Sequence, residues 1–384
     1  MSLRMPFDFV LPTRIVYGPK RGADPGSFLD ELGITRVFII TDAGVRQAGL
    51  LSPVEESLAR EKRVWTVFDA VSPNPRDVEV ERASEAARTF GADGLLALGG
   101  GSVLDCAKAA GILIAQGGRA RDYEDRDRIG TGVLPLIAVP TTAGSGSEVT
   151  FGAVITDARS HDKFTVKSPR IAPRIALVDP VMTLSMPPAL TAATGMDALT
   201  HAIEGYTAMS ANAISDAAAL RAVALIAVHL VRAVRHGDDL DARAGMLLGS
   251  VLAGIAFSHS DVAAVHCLAE SMGGLYDAPH GACNAVILPE VMRYNRSACP
   301  ERYAEVAAAM GLSFSDVGQG AEAAVQYVQR LAKEVNLPRI RELGLGDADF
   351  EDLAGRAVRN GSNASNPRPM AEEDYLQVLG RLVT

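Results

Sequence analysis

Up to about residue 189, short β-rich runs alternate with amphipathic helical stretches, and beyond that point the β-branched runs all but stop. No other feature restricts the possible folds as strongly. RVFIITD (Arg36 to Asp42), VWTVFD (Val64 to Asp69), GLLALGG (Gly94 to Gly100), LPLIAVP (Leu134 to Pro140) and IALVDP (Ile175 to Pro180) read as buried strands. Between several of them lie segments such as VEVERASEAARTFG (Val78 to Gly91), with apolar residues at helical spacing. Such alternation builds a mostly parallel sheet with helices packed on it. DFVLPTRIVYG and the FGAVITD after Thr150 add strands at its edge.

From Thr191 onward the chain is alanine-rich with helical periodicity, over 191–209, 213–235, 240–257, 262–273, 283–295, 301–310, 317–335 and 371–382. Pro187 and Pro188 punctuate the change. The expectation is an α/β domain over residues 1–189 followed by an all-helical domain over 190–384. A length of 384 residues accommodates two domains of ordinary size. Hydrophobic content of 48% against 22% charged residues fits well-buried cores and excludes a disordered chain.

A net charge of −9 without a basic cluster argues against nucleic-acid partners. No uninterrupted apolar run reaches the eighteen or so residues of a membrane span, and MSLRMPFDFV lacks the apolar core of a signal peptide. Cys106, Cys267, Cys283 and Cys299 form no CxxC pair and are too sparse for a disulfide framework. A soluble cytoplasmic protein is the expectation.

Two Gly/Ser/Thr-rich loops follow strands. In ALGGGSVLDCAKAAGILIA, Gly99, Gly100 and Gly101 end a buried strand and Ser102 starts a helix. Glycines there let backbone N–H groups approach a phosphate, and the helix N-terminus favours its charge. A tight strand-to-helix turn without a ligand gives the same pattern. In PTTAGSGSEVT, Thr141, Thr142, Ser145 and Ser147 supply hydroxyl donors beside an open backbone. Two such loops at the carboxyl ends of neighbouring parallel strands form a crevice suited to a dinucleotide. Asp42 ends another strand, where a carboxylate suits a ribose 2′-hydroxyl and repels a 2′-phosphate, favouring NAD over NADP. Because Asp42 precedes the glycines, this is not the usual order of a Rossmann fingerprint.

In the helical half, GMDALTHAIE places Asp197 and His201 four apart on one helix face. His266 lies on a later helix, and His280 in a Pro/Gly-bounded segment. One carboxylate and three imidazoles make a borderline-hard site for a divalent ion such as Fe²⁺ or Zn²⁺. Structural, hydrogen-bonded histidines fit the spacing as well.

Taken together, TDAG, SPNP, GGGSVLDCAKA, PTTAGSGSEVT, Asp179–Pro180, PPALTAATGMDALTHAIEGY, PHGACNAVILP and NPRPM resemble the iron-containing (group III) alcohol dehydrogenases over nearly the whole chain. The resemblance implies an architecture shared with dehydroquinate synthase: an NAD-binding α/β domain, a helical metal-binding domain and an active site in the cleft between them. It places Asp197, His201, His266 and His280 on the metal-ligand positions. Asp42 falls on the ribose carboxylate, and Asn74, Gly100, Gly101, Ser102, Asp105, Thr141, Thr142 and Lys163 on cofactor positions. Ser147 joins this cofactor set from its place in the hydroxyl-rich loop. NAD(H), a divalent metal (iron, with zinc able to use the same ligands), a small alcohol, aldehyde or ketone, and a homodimer or larger homo-oligomer are what the family implies.

Two positions depart from the family pattern. Where a second His usually follows His266 by four residues this chain has Glu270, and where an Asn is usual it has His259. Either Glu270 or His259 takes over proton relay beside His280, or Glu270 shapes a pocket for a polar or cationic substrate group, or Glu270 only hydrogen-bonds a neighbour. A metal-independent maleylacetate reductase-like enzyme shares the fold but carries Asn where this chain has Asp197. A lyase like dehydroquinate synthase and a non-catalytic NAD-binding protein are the remaining alternatives.

Overall fold

The computed structural model describes residues 6–124 and 128–383. Chain contacts divide it into two compact units. One comprises Val10–Thr142 with Ser147–Met186, and the other contains Ala143–Gly146 and the chain from Pro187 onward.

The first unit runs β1 (Arg14–Tyr17), α1 (Gly26–Glu31), β2 (Arg36–Ile40), α2 (Ala43–Gln47), α3 (Leu51–Arg60) and β3 (Val64–Phe68). It continues with α4 (Asp77–Phe90), β4 (Gly94–Gly99), α5 (Gly101–Gln116), β5 (Leu136–Pro140), β6 (Gly152–Thr156), β7 (Lys163–Lys167) and β8 (Ile175–Val178). Six strands form one sheet in the order β1-β8-β5-β4-β2-β3, with every pairing parallel. Successive residues of a strand face opposite sides. Val37 and Ile39 accordingly pack with Phe28, Leu29, Val54 and Leu58 of α1 and α3. Phe38 and Ile40 pack with Val80 and Ala83 of α4 and Val103, Leu104 and Ala107 of α5.

DFVLPTRIVYG supplies the expected edge strand, since β1 lies beside β8. FGAVITD does not join this sheet: β6 pairs antiparallel with β7 in a separate two-stranded sheet. KFTVK of β7 carries no signal strong enough to predict alone. Its short alternation becomes a strand only when β6 supplies hydrogen-bond partners.

The second unit is helical: α6 (Pro188–Thr207), α7 (Ala213–Arg235), α8 (Leu240–Ser260), α9 (Ala264–Tyr276) and α10 (His280–Asn295). Then come α11 (Pro300–Ala309), α12 (Val317–Glu334), α13 (Phe350–Arg359) and α14 (Glu372–Leu382). The sequence did not announce α13, a ten-residue helix following two 3-10 turns in a Gly/Asp-rich stretch. By length and composition α7 and α8 are apolar enough to cross a membrane, although neither contains an uninterrupted apolar run of that length. In this unit they pack on each other and on α6.

Candidate active site

Order in the sheet locates a candidate cofactor site in the α/β unit. From β2 the chain moves outward to β3 and then returns across β2 to β4, so the connection reverses direction between β2 and β4. Ligands of open α/β sheets bind outside the carboxyl ends of strands at such a reversal. Asp42 follows β2, the glycines follow β4, and Thr141 and Thr142 follow the adjacent β5. The Thr41 hydroxyl donates to the Leu98 carbonyl at 2.7 Å, and Thr141 N to the Gly99 carbonyl at 3.0 Å, tying the three loops together.

Gly99 is required by packing, because a Cβ there would lie 2.6 Å from Val103. α5 starts at Gly101, one residue earlier than expected. Gly100 is the N-cap, and no side chain caps the helix. Ser102 is therefore the second residue of the helix, and the first N–H groups of a sixteen-residue helix face the loop. Asp42 Oδ1 accepts from Val45 N at 2.9 Å, which fixes the carboxylate at the end of β2.

Other expected cofactor residues are bound to one another. Lys163 Nζ donates to Asn74 Oδ1 at 2.7 Å, and Asn74 has a left-handed backbone at φ 53°. Asp105 accepts from the Ser147 hydroxyl at 2.6 Å and from Val154 N at 2.9 Å. Buried Lys108 donates to Ser147, Thr150 and the Gly152 carbonyl. This network holds the end of the hydroxyl-rich loop against α5. Beside it Glu148 is fully buried, and burial pushes its carboxyl up to about 7.

A candidate metal site lies in the helical unit. Asp197, His201 and Glu204 recur at i, i+4 and i+7 along α6, and so share one face. His266 is near the start of α9, and His280, in its Pro/Gly-bounded segment, is the first residue of α10. Asp197, His201, His266 and His280 each offer a ligating atom, all four within 4.8 Å of one another. The first three are buried and His280 is partly exposed. Gly281 permits the approach of α10 to α6, since a Cβ there would lie 2.6 Å from the Ala193 carbonyl oxygen.

Ligands at about 2.0–2.2 Å from a shared ion stand at most about 4.4 Å apart. Small shifts of these side chains thus close the cluster on a divalent ion. The donor chemistry agrees. His201 Nδ1 is buried with no hydrogen-bond partner among the described residues. Burial pushes its imidazole down to about 4, leaving it neutral and ready to ligate. Burial alone would raise Asp197, yet the facing His201, His280 and His266 and the Asn284 amide hold it below its ordinary value.

Glu204 was absent from the sequence expectations, although it lies in the GMDALTHAIEGY motif. Its carboxylate accepts from His266 Nδ1 at 2.6 Å and from Ala263 and Val265 N at 3.0 and 2.7 Å. Those contacts cap α9 and fix the imidazole tautomer, so Nε2 carries the lone pair toward the cluster. Burial lowers His266, but the Glu204 hydrogen bond and charge outweigh it and the net shift is upward. The spacing from Asp197 was the available signal, since a carboxylate one turn beyond His201 continues the same face.

Glu270 lies one turn after His266 on α9, and its charge contributes to raising that imidazole. Its Oε2 accepts from Asn360 Nδ2 at 2.6 Å. His259, on α8, is not among the four ligating residues. Its ring stacks on Phe9 at 3.9 Å, and its Nδ1–H donates to the Ile255 carbonyl at 2.7 Å.

Two family models match the chain. One described as iron-containing alcohol dehydrogenase covers residues 12–180, and one described as the Fe-containing alcohol dehydrogenase family, C-terminal, covers residues 191–383. Among similar proteins, a 1,3-propanediol dehydrogenase of Citrobacter freundii is 39% identical over 99% of both chains. A choline dehydrogenase of Bacillus subtilis is 37% identical over 97% of this chain and 94% of its own. A lactaldehyde reductase of Escherichia coli is 37% identical over 93% and 95%. A crystal structure of 1,3-propanediol oxidoreductase superposes with a TM-score of 0.95 at 38% identity, covering 99% of this chain and 100% of that one.

Proposed function

The chain belongs to the iron-containing alcohol dehydrogenase family, and from that membership we propose a substrate class and a role for each site residue. It interconverts alcohols and carbonyl compounds with NAD(H) and a divalent metal, iron in this family. The proposed substrate is a short alcohol, aldehyde or ketone that carries a second polar group. Relatives named for a diol, for choline and for lactaldehyde support that reading, because each of those molecules has such a group. The observation that carries the reaction is the buried convergence of Asp197, His201, His266 and His280.

Those four side chains hold the ion. A divalent metal held there would supply Lewis acidity, and NAD(H) bound at the sheet end would supply the hydride chemistry. Everything else falls to the chain. Backbone N–H groups at Gly100, Gly101 and Ser102, with the Thr141 and Thr142 hydroxyls, bind the pyrophosphate, while Asp42 binds the ribose. Asp105 and Ser147 act with Lys108 to fix the shape of the loop, and Asn74 and Lys163 brace each other beside it. Glu204 keeps His266 in the ligating tautomer.

Carbonyl reduction also needs a proton at the substrate oxygen. Glu270 is assigned to that relay, or to holding the substrate's second polar group. His259 is the other relay candidate beside His280. We place the enzyme in the cytoplasm as a homodimer or larger homo-oligomer.

The test is NADH oxidation by iron-loaded protein with propanal, lactaldehyde and 3-hydroxypropanal, repeated with Glu270→Gln. The hydroxylated aldehydes should show kcat/KM about tenfold or more above propanal, as one extra polar contact allows. The variant should lose that preference, or lose kcat with an altered pH profile. Equal rates on all three, unchanged in the variant, would refute the substrate class.

A further inference from the structure

Asn284 stands on α10 one turn after His280, so the two share a helix face. It is completely buried. Its Nδ2 lies 2.7 Å from Asp197 Oδ1 and 3.1 Å from both His266 Nε2 and His280 Nε2. Three of the four ligating side chains therefore meet one amide. At its other end Oδ1 is buried with no hydrogen-bond partner among the described residues. Leaving a buried acceptor unmatched is unfavourable. A side chain kept for packing alone would avoid that cost, which points to Nδ2 as the reason the amide is there.

We propose that Asn284 is a positioning residue of the metal site, donating to Asp197 and thereby setting which carboxylate oxygen turns toward the ion. The inference rests on reading the four-residue cluster as a metal site. Lone-pair counting selects the partner. The amide has two hydrogens and here faces three acceptors. A neutral imidazole nitrogen has one lone pair, and coordination consumes it. A carboxylate oxygen has more than one acceptor site and can serve a donor and an ion together. Of the three contacts, only the one to Asp197 is compatible with an ion held by all four ligands. Fixing the carboxylate before the ion arrives spares the site the cost of ordering it on binding.

The probe is Co²⁺, titrated into metal-stripped protein. Its dissociation constant is read by chelator competition, and its coordination from the visible d–d bands. Parent protein binds one Co²⁺ per chain; failure of the parent to bind would sink the metal reading itself. Asn284→Leu, similar in volume but without a donor, binds about 10- to 100-fold more weakly. Its d–d bands are shifted, as a reoriented carboxylate requires. Asn284→Ser, which keeps one O–H donor on a shorter arm, falls between the two. Should the leucine variant fail to fold by circular dichroism, Asn284→Ala is measured with the same expectation. A donor-free variant that folds, binds Co²⁺ within about threefold of the parent and shows unchanged bands overturns the proposal, because an outer hydrogen bond of this kind is worth about tenfold or more.

Discussion

At the residue scale, the site depends on side chains that put each ligand in one protonation state and one orientation. Glu204 shows this most directly. Replaced by Gln, its amide can donate to His266 Nδ1, which shifts the ring proton to Nε2 and removes the lone pair aimed at the cluster. Glu204→Gln should weaken metal binding about 10- to 100-fold, measured by chelator competition, and an unchanged affinity would refute the tautomer argument. The convergence of the four side chains was legible in the sequence because the Asp197–His201 pair and His280 sat in distinctive motifs, with His266 on a helix between them. Glu204 and Asn284 escaped notice although they stand one turn beyond His201 and His280. Carboxylates and amides at helical spacing usually face water, and only the burial of both here shows otherwise. His259 and Glu270 were legible only as departures from a pattern. Ile255 is one turn back from His259 on α8, but Phe9, which stacks on His259, and Asn360, which donates to Glu270, come from chain segments far from them in sequence.

At the scale of elements, close approach and buried charge set the limits. α10 meets α6 at Gly281, where a Cβ would press on the Ala193 carbonyl oxygen at 2.6 Å. Gly281→Ala should displace His280 from Asp197 and lower bound metal per chain, measured by elemental analysis. Full occupancy would show that the helices can part without loss. In the α/β unit the hydroxyl-rich loop is clipped to α5 by Lys108, with Glu148 buried alongside. Burial raises the Glu148 carboxyl from 4.5 to about 7, so the folded state holds a proton there that the unfolded chain releases. Its contribution to stability is present below pH 4.5 and is lost as pH rises through about 7. Glu148→Gln, neutral throughout, should gain in Tm relative to the parent as pH goes from 5 to 8. A difference that is constant over that range would contradict the assignment. Elements with strong period or strong punctuation were readable from the sequence, and the parallel strands most clearly. β7 and α13 were not, because a five-residue strand and a ten-residue helix are specified largely by their packing partners.

At the scale of the whole molecule, one chain carries glycine- and hydroxyl-rich loops where the sheet order reverses and a buried cluster of four side chains on three helices that can hold a metal. Neither alone defines a dehydrogenase, and both together match a family whose members include alcohol dehydrogenases and aldehyde reductases. The central claim is that this chain's turnover requires a metal held by those four ligands. The direct measurement is NADH oxidation with an aldehyde by chelator-stripped protein as Fe²⁺ is added back anaerobically, run beside Asp197→Asn. Activity should vanish on stripping and return in proportion to metal up to one ion per chain, while Asp197→Asn should stay at least about 100-fold slower at the same iron concentration. Undiminished turnover by the metal-free protein, or parent-like turnover by Asp197→Asn, would contradict it.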